Sequence, residues 1–154
     1  MLKLSPVEFF FRGIPEGFIF IFAVLLFSNS KIEKNKYVLT SFSYATAVYF
    51  IRTLPINFGV NTIISMIVAI GLVVKINNTK VIEIIKSVFI TIIVEFFCEW
   101  INIFVVENII GKNLDTVFGN PVSKVIYGAP SLMIFMAING VFYIVLKEKG
   151  KKND

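Results

Sequence analysis

Residues 51–62 read I-R-T-L-P-I-N-F-G-V-N-T and lie between two apolar runs, 37–51 and 58–74. Arginine, proline and glycine bunched in this way mark a tight corner. Each flanking run approaches the ~20 residues that cross a hydrocarbon layer. The stretch therefore reads as a turn between two membrane helices, with a fixed positive charge held beside the bilayer.

Composition supports that reading. The 154-residue chain is 56% hydrophobic and 15% aromatic, with a mean hydropathy of +0.82, more apolar surface than one soluble core of this length can hide. The expected fold is all-α, a polytopic transmembrane helix bundle of about five spans with short interfacial helices before spans one and five. The spans are placed at about 13–28, 37–51, 58–74, 87–106 and 130–146, forming one domain over residues 1–146 that is followed by a basic cytoplasmic tail, 147–154. Five spans and their links fill the chain and leave no room for an attached soluble module. The first run lacks a small-residue cleavage site and matches the others in character, so no secretory signal is expected.

The net charge of +5 falls in short clusters between apolar runs, the pattern of membrane topology and not of nucleic-acid binding. With the amino terminus outside, Lys31, Lys34, Lys36, Lys75, Lys80, Lys86, Lys147, Lys149, Lys151 and Lys152 are cytoplasmic, against Lys3, Arg12, Arg52, Lys112 and Lys124 outside. That asymmetry places the chain in the cell membrane as a multi-pass protein, amino terminus out and carboxyl terminus in. Trp100 and Tyr127 read as outer interfacial anchors, and Tyr37 and Tyr143 as inner ones.

Turn chemistry divides the rest of the chain. Ser5-Pro6-Val7-Glu8 has the form of a helix start, and Gly13-Ile14-Pro15 reads as a break between a short interfacial helix and span one, one kinked helix being the other arrangement. Asn120-Pro121 repeats the start and Gly128-Ala129-Pro130 the break. Residues 5–20 lie on residues 120–135 without a gap, matching both prolines, valine, glycine, isoleucine and phenylalanine. This is either a parallel repeat or chance similarity between apolar segments. Pro15, Pro55, Gly59, Gly128 and Pro130 are the expected structural corners.

The polar residues of span four, Thr91, Glu95, Glu99 and Asn102, are spaced by four, four and three, so they share one helix face. A carboxylate at the depth of Glu95 must be protonated or paired, and must face the bundle. Glu99, one turn nearer the outside, lies at a depth that Arg52 reaches, with Arg12 and Glu16 in the same layer. The ligand or switch candidates are thus Arg12, Glu16, Arg52, Glu95 and Glu99. The plainer alternative is that these groups only hold helices in register. Ser41, Ser43, Ala45, Thr46 and Ala47 offer span two a small surface for close helix approach. Cys98, among apolar and acidic neighbours, reads as packing. Without histidine the chain lacks the usual metal sets and an imidazole to activate a nucleophile, so neither an enzyme, a metal nor a cofactor is expected.

The phrases F-R-G-I-P-E at 11–16, Y-F-I-R-T-L-P-I-N-F-G-V-N-T-I at 49–63 and V-I-Y-G-A-P-S-L at 125–132 resemble small polytopic proteins of Gram-positive bacteria that occur alone or as the membrane input region of accessory-gene-regulator-type sensor histidine kinases. The resemblance covers nearly the whole chain and implies a sensory or regulatory role toward an extracellular peptide or small ligand. No kinase follows Lys152-Asn153-Asp154, so the expectation is a signal-receiving module without its own kinase. The partners are then the lipid bilayer and, at the lysine tail, a cytoplasmic signalling protein or anionic lipid. The other class of function is a small solute transporter or transporter subunit working through Glu95 and Glu99.

Overall fold

The computed structural model describes residues 6–111 and 120–151. Ser5, Lys3, the loop with Lys112 and Asp115, and Lys152–Asp154 lie outside them. Every regular element among the described residues is helical: α1 (Pro6–Glu8), a π-helical turn (Phe9–Gly13), α2 (Ile14–Phe27), α3 (Lys34–Thr53), α4 (Phe58–Asn77), α5 (Val81–Asn108) and α6 (Pro121–Lys151). Three helices are long and apolar enough to cross a membrane, Pro6–Phe27, Gly59–Asn77 and Val125–Glu148.

Helix ends follow local chemistry. After α2, Asn29 adopts a left-handed φ of 53°, which asparagine tolerates better than most residues. The Asn29 and Ser30 amides then donate to Leu26 O and Leu25 O at 3.1 Å each, closing the helix by a Schellman motif. Asn78, also at φ 53°, ends α4. The corner read first from the sequence is present: α3 stops at Thr53, Leu54–Asn57 turns the chain around Pro55, and α4 begins at Phe58. Gly59 lies inside the first turn of α4, where a Cβ would meet nothing within 4 Å.

Two expected breaks are corrected. Gly13-Ile14-Pro15 does not separate two helices. The Ile14 amide donates to Phe9 O, an i to i−5 bond, so the chain passes through Pro15 in one kinked helix. Pro15 has no N–H and its ring would press on the carbonyl four residues back, and the wider π turn relieves both. Gly128-Ala129-Pro130 does not break α6 either, so no separate interfacial helix precedes it. Pro130 cannot donate to the Ile126 carbonyl. The next two carbonyls receive side-chain donors, Asn102 Nδ2 to Tyr127 O at 2.7 Å and Ser131 Oγ to Gly128 O at 2.7 Å, which is how apolar surroundings tolerate a helical proline.

α2 is the hub. Ile19, Phe20, Ile21, Ala23, Val24, Leu25 and Leu26 are all buried, as befits a helix apolar on every side. One core cluster joins Phe20, Ile21, Val24 and Leu25 to Tyr44 of α3, Ala69 and Val73 of α4, and Ile84, Val88 and Ile92 of α5. A second joins Ile19 and Ala23 to Cys98 of α5 and Phe135 of α6. Tyr37 ties the start of α3 to α2 by donating its hydroxyl to Phe18 O at 2.9 Å. Beside the apolar residues that α3 and α5 give to the core, both also bury polar residues and expose large apolar ones. α3 buries Thr40 and Ser41 and exposes Val38, Leu39, Phe42 and Phe50, and α5 buries Ser87, Thr91 and Asn102 while exposing Phe89, Ile93, Phe97, Trp100 and Phe104.

Candidate functional site

The pairing along the helices fixes where the charges meet. Phe20 of α2 stacks on Tyr44 of α3 with ring centroids 4.9 Å apart. One turn earlier a Cβ on Gly17 would come within 2.9 Å of Ala45 Cβ. This is the close approach that small residues allow, and it brings the last turn of α3 against the first turn of α2. Arg52 there donates to Glu16 Oε1 at 2.9 Å. The π turn aims Arg12 across to α5, where its Nη2 donates to Glu99 Oε1 at 2.9 Å, while its Nε lies 3.7 Å from Glu16 Oε2. Glu16 is therefore the centre, with its side chain 11% exposed and facing both guanidiniums.

Arg12 fits because of α6. A Cβ at Gly128 would lie 2.7 Å from Arg12 Nη1 and 3.0 Å from Cζ, so the guanidinium occupies the room that a missing side chain leaves. Gly128 reads from sequence as a break; it acts instead as a slot. Glu95 closes the layer from α5, one turn from Glu99. It lines a pocket with Glu16, Gly17, Tyr44, Tyr49 and Arg52, in which the space open to the centre of a water molecule is about 20 Å³, room for a single water.

Arg12, Glu16, Arg52, Glu95 and Glu99 thus lie together, as their depths imply. The expected partner of Arg52 is corrected: it bonds Glu16, and Glu99 belongs to Arg12. Depth follows from position along a helix, whereas the partner depends on how each helix is rotated about its axis, and the π turn resets that rotation for Arg12. Sequence reasoning passed over Gly17 and Tyr44, and read Glu8 only as part of a helix start, whereas its side chain is buried. The gap-free match of residues 5–20 to 120–135 does carry one signal, since it sets Phe20 opposite Phe135 and both are fully buried. Thr91 donates to Ser87 O at 2.7 Å within α5, and Cys98 sits in the second core cluster.

Chemically the layer is an ion-pair network that ties the first helix to α3 and α5. Charge-assisted bonds of this kind in low dielectric hold helices at a fixed register. Among the described residues no group of three or more histidine, cysteine or acidic side chains is placed to hold a metal ion. Comparison with known protein families, with curated proteins and with solved structures found no match.

Proposed function

We propose that the chain is a five-span membrane sensory module, amino terminus outside, in which the charged layer is the switch that an outer signal resets. The observation that carries this is the sharing of Glu16 by Arg12 and Arg52. Through Glu16 the first helix holds Arg52 of α3, and through Arg12 it reaches Glu99 of α5, so a competing carboxylate from a peptide or small ligand that takes either guanidinium loosens the layer. Such a network is a bistable element. α3 and α5 support five spans: Thr40, Ser41, Ser87, Thr91 and Asn102 are buried while Val38, Leu39, Phe42, Phe89, Ile93 and Phe97 lie outward, an arrangement that suits lipid. The resemblance to sensor-kinase input regions points the same way.

A solute transporter needs a cavity of solute size near its carboxylates. The pocket beside Glu95 has room for one water, so a solute bound there would need the helices to part. The test is a chromosomal Glu16→Gln allele in the native host. A sensory module alters a defined set of transcripts with the protein still in the membrane. A transporter instead loses solute accumulation, and a purely structural role shows only as a lower amount of folded protein.

A further inference from the structure

The charged layer contains three carboxyls, Glu16, Glu95 and Glu99, and two guanidiniums, Arg12 and Arg52. Arg12 pairs with Glu99 and Glu16, and Arg52 with Glu16. Glu95 is the one carboxyl of the three with no ion pair among the described residues, yet it lines the pocket with Glu16 and Arg52. Glu16 Oε2 is buried and receives no hydrogen bond from any protein N–H or from a hydroxyl. With all five of these groups ionised they carry one more negative than positive charge around a pocket with room for a single water, which is costly. Two adjacent carboxylates cannot both ionise cheaply.

We infer that Glu95 is a proton-binding site: its carboxylic acid donates to the orphaned Glu16 Oε2 and makes the layer neutral. The inference rests on the reading of this layer as the switch and names what it binds. Space and charge select the proton over a metal cation, because the pocket admits one water and the Arg52 guanidinium on its wall repels a cation. The groups facing Glu95 are Glu16 and Arg12 from the first helix, Tyr44, Tyr49 and Arg52 from α3, and Cys98 and Glu99 on its own helix. Among the described residues, α4 and α6 contribute none to the pocket. Loss of the proton to water leaves Glu95 and Glu16 as adjacent carboxylates. Arg52 then has a second acceptor, and the tie between α2 and α3 loosens.

The test is infrared spectroscopy of the purified full chain in lipid nanodiscs, with thermal unfolding followed as pH is raised. At neutral pH one carbonyl band of a protonated carboxylic acid is expected in wild type and in Glu99→Gln, and its absence is expected in Glu95→Gln. The glutamine amide still donates to Glu16, so Glu95→Gln folds. Wild type should lose thermal stability as pH rises from neutral to alkaline, and Glu95→Gln should lose markedly less. No band in wild type, a band that survives in Glu95→Gln, or stabilisation by added sodium in place of the proton each overturns the site. If the band is absent but the Glu16→Gln allele still changes transcription, only the proton site fails; if the band is present and transcription is unmoved, only the sensory reading fails.

Discussion

Gly128 shows how much one hydrogen atom decides. Its Cα faces the Arg12 guanidinium so closely that a methyl group would stand 2.7 Å from Nη1. Gly128→Ala must therefore displace Arg12 from Glu99 or push α6 away. Because the atoms met are the mobile end of the Arg12 side chain, the cost should fall at or below the lower end of the ~1–3 kcal/mol of overpacking, and the expected result is a modestly lower unfolding temperature in detergent, restored in part by shortening the arginine in Arg12→Lys. Glu16 is more exacting. Its side chain is nearly buried and faces two cations, so Glu16→Gln leaves Arg52 without its anion while Arg12 keeps Glu99, and the cost should reach at most the lower end of the ~3–5 kcal/mol of breaking a buried pair. Glu99→Gln removes one partner from a half-exposed pair and should cost clearly less; equal losses would put the centre of the layer elsewhere.

At the scale of elements, the apolar runs and the corner at Pro55 were legible because both are local: hydrophobic length makes a helix and proline stops one. Pro15 and Pro130 misled for a shared reason. A proline removes one donor and crowds one carbonyl, and whether the helix breaks depends on what else can serve those carbonyls. A π turn answers for Pro15, and Asn102 and Ser131 serve the turn around Pro130; neither is visible within the tripeptide itself. Asn102→Leu should accordingly loosen α5 from α6. The loss is about 0.6 kcal/mol, typical of interhelical hydrogen bonds in membranes, read as faster amide exchange around Tyr127; no change there would show that the bond is idle. Members of the candidate layer were legible by depth, since charges in apolar helices must turn inward. Their pairing was not, because a spacing of three or four residues places side chains on one face without saying which neighbour that face meets.

For the whole molecule, α2 at the centre explains why the charges gather where they do. Arg12 and Glu16 lie at its start, α3 runs back along it to end at Arg52, α5 runs back to bring Glu95 and Glu99 level, and α6 runs with it to supply Gly128. The topology proposed above, five spans with the amino terminus outside, predicts that single cysteines placed in a Cys98→Ala background divide by side. Lys34→Cys should react with an impermeant maleimide only in opened cells, and Gly111→Cys in intact ones; the reverse pattern would invert the topology and place the charged layer at the cytoplasmic face.

The central claim is that Glu16 is the shared partner and that Arg52 belongs to it and not to Glu99. Double-mutant cycles on unfolding free energy test it directly. The account predicts coupling of about 1 kcal/mol or more for Arg52→Gln with Glu16→Gln and for Arg12→Gln with Glu99→Gln. It predicts additivity within about 0.5 kcal/mol for Arg52→Gln with Glu99→Gln. Coupling in the last cycle together with additivity in the first would contradict it.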